Sequence, residues 1–170
     1  MKDHDKPVII TEPAAKLLNS REQSLYHTHR EDMAEWLRSR GKYPDNYEGY
    51  SSRTVKQTLY RLDHFYRWVW QNLTNGYTTH ITHDHADAFV DFLKRDDDRG
   101  NADKKKHVMV LKRLFKWRNH EHDFDLWDTD ATFRTPTSNP QDKLDEEERR
   151  KSWWVNQNGE PAYSLEVGNE

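Results

Sequence analysis

Lys104, Lys105, Lys106, Lys112, Arg113 and Lys116 crowd one short segment, and with Arg118 they give residues 101–120 seven cations against a single Asp. A second stretch, residues 51–73, holds four cations against one Asp, although the whole chain carries a net charge of −3. An acidic chain that concentrates positive charge in two places is arranged for an anionic partner. The chemistry open to such side chains is phosphate neutralisation, the main source of affinity for DNA. Helix energetics point the same way. With Gly100 breaking the chain and Asn101 as N-cap, the three consecutive lysines fall in or just after a first helical turn. That end of a helix is electropositive, so each lysine there costs ~0.3–1 kcal/mol, and a bound phosphate reverses the sign. The plainer alternative is a solvated charge run, partly neutralised by Asp96, Asp97 and Asp98.

Other chemistry has weaker support. His80, His83 and His85 with Asp84 and Asp87 have the donor types of a zinc site. They straddle a loop-to-helix junction where such spacings need not converge, and the chain has no cysteine. Surface histidines are the preferred reading, and no metal or cofactor is expected. Two His-x-x-Arg strings, His27–Arg30 and His64–Arg67, lie inside expected helices without a partner arginine or tyrosine, and chance accounts for them. Tyr66 sits on an apolar stripe and belongs to the core. Tyr60 borders the basic face, where its hydroxyl can bond a phosphate. The six glycines are scattered and form no phosphate loop.

The elements that position these residues are helical. Only 33% of the chain is hydrophobic and the mean hydropathy is −1.25. Yet there are 7 Trp, 8 Tyr and 6 Phe, and the net charge is small, which argues against disorder. The absence of cysteine excludes disulfides, and no apolar run approaches a membrane span or signal segment, so a cytoplasmic protein is expected. Residues 1–18 read as a polar lead-in. A first helix is expected over 20–40, opened by an Asn19/Glu22 capping box and closed by Gly41, with Tyr26, Met33 and Leu37 on one face and Leu25 and Trp36 beside them. Residues 42–50 read as a loop. The second helix has the clearest stripe, Val55, Leu59, Leu62, Tyr66, Val69 and Leu73, capped by Ser51 or Ser52 and stopped by Asn75-Gly76. A third helix begins near Thr82 with Ala86, Phe89, Val90 and Leu93 inward and Asp84, Asp87 and Asp91 outward. The fourth covers about 102–120, with Val108, Leu111, Leu114 and Phe115 inward and Trp117 flanking. From Glu121 onward the net charge is −8. Residues 135–140 read as a linker, 145–151 as a short helical turn, and 152–170 as largely irregular. Four helices joined by short loops make an all-α bundle.

On these residues the chain resembles the N-terminal core-binding domain of the tyrosine recombinase, or phage integrase, family, especially its archaeal members. The second helix has the pattern Thr54, Leu62, Phe65, Trp68, with Thr58 where the family commonly has Tyr. The fourth has Leu111-Lys112-Arg113-Leu114-Phe115-Lys116-Trp117, similar to the family's basic pair before an aromatic. Thr82-His83-Asp84-His85-Ala86 resembles the turn before the family's third helix. The resemblance covers about residues 20–130. It implies a four-helix SAM-like bundle (19–130) with a polar lead-in (1–18) and an irregular acidic tail (131–170). It also implies that the second and fourth helices face the major groove of double-stranded DNA, in the service of integration or recombination. The family's catalysis needs a further domain with an Arg, a Lys, a His-x-x-Arg pair and a nucleophilic Tyr, and only 34 residues follow Pro136. The expectation is therefore a DNA-binding module and not an enzyme, with a full-length recombinase as a second possible partner. The expected contacts are Lys104, Lys105, Lys106, Lys112, Arg113 and Lys116 to phosphates, and Arg53, Lys56 and Gln57 to phosphates or base edges. Ser52, Thr54 and Tyr60 supply hydroxyls. The competing class is a helical protein-interaction domain or decayed recombinase fragment, in which the basic face docks an acidic partner or the chain's own tail.

Overall fold

The computed structural model describes residues 10–135, and the expectations for 136–170 and for the first nine residues lie outside it. Among the described residues there are five α-helices and no β-strand: α1 (Glu12–Leu17), α2 (Ser20–Arg40), α3 (Ser52–Asn72), α4 (His83–Arg95) and α5 (Asn101–His122). The four long helices are those expected from periodicity. No helix among the described residues is long and apolar enough to cross a membrane.

Helix α1 lies within the stretch read as a polar lead-in, where no helix was expected. Thr11 caps it by accepting from the Ala14 N–H, and Pro13 occupies the first turn, where its missing donor costs nothing. Ala14 and Leu18 are buried. A helix of six residues is too short to show an apolar period, so only its capping signal was available. Helix α2 has the expected capping box, with Asn19 Oδ1 accepting from Glu22 N–H at 2.8 Å and the Glu22 carboxylate accepting from Asn19 N–H at 2.9 Å. Tyr26, Met33 and Leu37 face inward as expected, but Leu25 is exposed. On α3 the stripe from Val55 to Val69 is wholly buried, whereas Leu73, past the helix end, is exposed. Helix α4 is capped by Thr82, whose backbone N–H donates to the His85 ring. Helix α5 begins one residue earlier than expected. Gly100, not Asn101, is its N-cap, so no side chain closes that end.

The acidic tail also needs correction at its start. After Asp123, in the left-handed conformation, the chain runs without helix back across the bundle. Trp127 is buried and donates its indole N–H to Asp87 at 2.9 Å, Phe124 stacks on Phe115, and Ala131 and Phe133 pack against the core. The compact unit therefore extends through Phe133 rather than ending at 130.

A polar cluster at the centre joins three helices. Asp63 on α3 is 1% exposed, and it accepts from Thr11 Oγ1 at 2.8 Å, Tyr26 Oη at 2.7 Å and Arg67 Nε at 2.9 Å. The buried Arg30 guanidinium lies 3.7 Å away and donates to the Leu59 carbonyl at 3.0 Å. Removing one partner from such a group strands the other charge in the core. Asp63→Ala is expected to cost about 3–5 kcal/mol, read from urea unfolding; a loss under 1 kcal/mol would contradict this role.

Candidate nucleic-acid interface

Helices α3 and α5 pack along a seam that the two basic segments of the sequence share. Arg61 pairs with Asp103 at 3.2 Å, and Arg113 reaches across to Thr58 Oγ1 at 2.8 Å while its guanidinium lies 4.6 Å from the centre of the Tyr50 ring. These two contacts bracket the region. Arg53, Gln57 and Tyr60, spaced four and three residues apart on α3, are exposed, as are Lys106 and Met109 on α5. Tyr60 is 72% exposed. Lys105 and Lys112 are exposed one step farther round α5.

The twelve expected contact residues separate into distinct groups. Arg53, Gln57, Tyr60, Lys105 and Lys106 are exposed, and Ser52, Thr54 and Lys56 are half-buried at the start of α3, where Ser51, not Ser52, is the cap. Lys112 is exposed and pairs with Asp128 at 3.2 Å. Hydrogen bonds from Lys112 and from the Thr129 N–H hold the Asp128 carboxyl below its usual range, the backbone bond contributing most. Lys116 lays its stem along the protein and donates to the Lys42 carbonyl at 2.9 Å, which leaves its charge at the surface. Arg113 is largely spent on Thr58, Met109 and Tyr50. Lys104 is a correction. It is only 6% exposed, with its ammonium 5.7 Å from the Phe133 ring, so it is a core contact and not a phosphate ligand. Arg118, counted in the charge of the segment, is also buried and donates to the Ile81 carbonyl. The surface of α5 is therefore less positive than its sequence.

Sequence reasoning missed the residues that brace this seam. Arg99, in the α4–α5 loop, pairs with Asp96 and Asp103 and donates to His107 Nε2 at 2.6 Å and His64 Nε2 at 3.2 Å. Burial, with Arg99 and His64 next to it, holds the His107 imidazole down at about 4 against the pull of Asp103. Burial and Arg99 also lower His64. Asp103 is pushed up by burial, but His107, Arg61 and Arg99 together bring it below its usual value. The network holds the first two turns of α5, and with them Lys105 and Lys106, at a fixed place beside α3.

Carboxylates gather elsewhere, among scattered cations such as Lys94 and Arg95. Helix α4 exposes Asp84, Asp87 and Asp91, and Asp32, Glu35 and Glu121 line a groove of about 330 Å³ between α2 and α5. The histidines weighed as zinc ligands have other roles. His85 accepts the Thr82 N–H, His83 meets the Asp125 carbonyl at 2.9 Å, and His80 lies edge-on to Phe124. Among the described residues no three His, Cys, Asp or Glu side chains converge as a metal site would require. The arginines of both His-x-x-Arg strings, Arg30 and Arg67, bind Asp63.

No family model, curated protein or solved structure matches this chain. The functional reading therefore rests on the seam itself.

Stability should depend on pH through the buried imidazoles. His107 and His29 both titrate near 4 when folded, burial being the main cause in each, against about 6.5 in the unfolded chain. Their contribution is complete above pH 6.5 and is lost as the pH falls toward 4. Urea midpoints should decline over that window, and His29→Gln with His107→Gln should flatten the decline. A midpoint constant from pH 7 to 4 would contradict the assignment.

Proposed function

We propose that this chain is a DNA-binding module that grips the phosphates of a duplex through α3 and α5 and acts by binding rather than by catalysis. The bundle is read as the SAM-like core-binding type, with the process served being DNA integration or recombination, alone or beside a full-length recombinase. The observation that carries this reading is the seam. Exposed Lys105 and Lys106 near the start of α5, which has no side-chain cap, and exposed Arg53, Gln57 and Tyr60 on α3 lie on two helices that pack against each other. Exposed cations on these two helices would attract an anionic polymer. The helix N-terminus and the lysines attract phosphate together, and Gln57 and Arg53 have the hydrogen-bonding groups to read base edges.

One observation favours a modulating role for the chain that follows α5. Asp128 already occupies Lys112, so part of the acidic segment competes with phosphate for the basic edge. The masking expected of residues beyond 135 lies outside the described part of the chain.

Fluorescence anisotropy with a random-sequence duplex at several salt concentrations tests the proposal. If Arg53, Lys105, Lys106, Lys112 and Lys116 each neutralise one phosphate, log K should fall with log salt at a slope of about −4 to −5. Replacing Lys105, Lys106 and Lys116 by Ala should reduce it to about −2. Lys104→Ala should lower stability and leave the slope unchanged. A folded protein that does not bind at low salt, or binds with a slope near zero, would refute the proposal.

A further inference from the structure

We infer that the loop joining α2 to α3, residues 42–50, is a base-stacking element, so that the preferred ligand is a duplex with unpaired bases at its edge rather than a fully paired one. This inference rests on the DNA-binding reading above.

The key residue is Tyr47. Its backbone is left-handed, with φ 54° and ψ 39°. That conformation is natural for Gly or Asn and costly for a residue with a bulky side chain. Burial does not explain the choice, because Tyr47 is 70% exposed. Backbone strain kept at an exposed residue is of the kind that gathers at functional sites. The Arg40 guanidinium covers one face of the ring at 4.1 Å from its centre, and Arg40 Nε also donates to the Pro44 carbonyl at 3.2 Å. With one face supported by a cation and the ring largely exposed, the opposite face offers a platform for a planar group. Tyr43, 52% exposed, stands on the same loop with the Lys42 ammonium 5.8 Å from its ring.

The loop is rigid in a way a passive connection need not be. The Tyr43 and Lys42 N–H groups both donate to the Glu48 carbonyl, at 2.9 and 3.0 Å, and the Glu48 N–H returns to Tyr43 at 3.2 Å. A 3₁₀ turn, Pro44–Asn46, closes its tip. Gly49 presses so closely on the backbone of Arg38 that any Cβ would collide with it. Tyr50 N–H donates to the Leu37 carbonyl at 2.9 Å, which ties the loop to the end of α2. Rings held in place beforehand lose little freedom on binding.

The loop also adjoins the phosphate-binding edge. Lys116 donates to the Lys42 carbonyl and Arg113 stacks on Tyr50, so the two cations nearest the end of the α5 basic edge are the ones that touch it. Cations that track a backbone beside aromatic rings that stack on bases are the means by which proteins hold single strands without reading sequence. An intact duplex hides its base faces within the helix, and only unpaired bases expose them to Tyr43 and Tyr47.

The test compares two labelled DNAs by anisotropy at one moderate salt concentration: a blunt random-sequence duplex, and the same duplex with splayed, unpaired arms at one end. The wild-type chain should bind the splayed DNA roughly tenfold more tightly, the gain expected from stacking a base on an aromatic ring. Tyr47→Asn, which suits the left-handed backbone, and separately Tyr43→Ser, should each remove most of that preference. Both should keep the wild-type affinity for the blunt duplex, and Tyr47→Asn, relieved of backbone strain, should not lower the melting temperature. Equal wild-type binding to both DNAs, or variants that keep the preference, would overturn the inference while leaving duplex binding intact. Failure to bind either DNA would overturn the reading beneath it as well.

Discussion

Asp63 is a charge in the middle of an apolar stripe, and the arrangement of the N-terminal half follows from the need to satisfy it. An isolated carboxylate at 1% exposure is far too costly to keep. Here Thr11 and Tyr26 donate hydroxyls, Arg67 donates from one turn along the same helix, and Arg30 supplies the opposing charge from α2. Burial, the largest influence, and the carboxylate push the Tyr26 phenol well above its ordinary value, so it stays protonated and can donate. Thr11 has two functions, since the hydroxyl that binds Asp63 also caps α1. The position of α1, the rotation of α2 and the register of α2 against α3 are all fixed by donors that must converge on one acceptor. A purely apolar interface would tolerate sliding that this cluster forbids.

That constraint organises the basic residues as well. Six arginines are structural: Arg30 and Arg67 serve Asp63, Arg61 and Arg99 brace the start of α5, and Arg113 and Arg118 lie against aromatic rings and polar groups of the fold. A planar fork with several donors suits such sites. The exposed charge on α5 is lysine, at positions 105, 106 and 112, and a flexible point charge suits a phosphate whose exact position varies. The proposed division of labour is thus chemical: the buried and paired arginines fix the scaffold, and exposed lysines, with Arg53, meet the ligand.

The four long helices were legible because each has an apolar period, and α2, α3 and α4 also have a recognisable cap. Three features were harder, for different reasons. Helix α1 gives too few residues for a period. Arg30 and Asp63 sit at stripe positions, Arg30 between Tyr26 and Met33 and Asp63 between Leu59 and Tyr66, but a reading that places charge outside assigns them to the surface. Lys104 shows the same conflict most clearly. Lys104, His107, Leu111, Leu114 and Arg118 repeat at three- and four-residue intervals, and all five are buried. The period placed Lys104 inside, and the attraction of a lysine run for phosphate placed it outside. The aromatics of the returning chain decided it, because Phe133 covers Lys104, and no local pattern announces a contact between residues so far apart.

The central claim is that DNA meets the α3–α5 seam. Amide hydrogen exchange of the full chain, with and without a random-sequence duplex, tests it most directly. The account predicts slowed exchange at the start of α3, over 52–60, and along α5 over 101–116, with the acidic helix α4 unchanged. Slowing confined to α4 or to the acidic α2–α5 groove, or no change at saturating duplex, would contradict it.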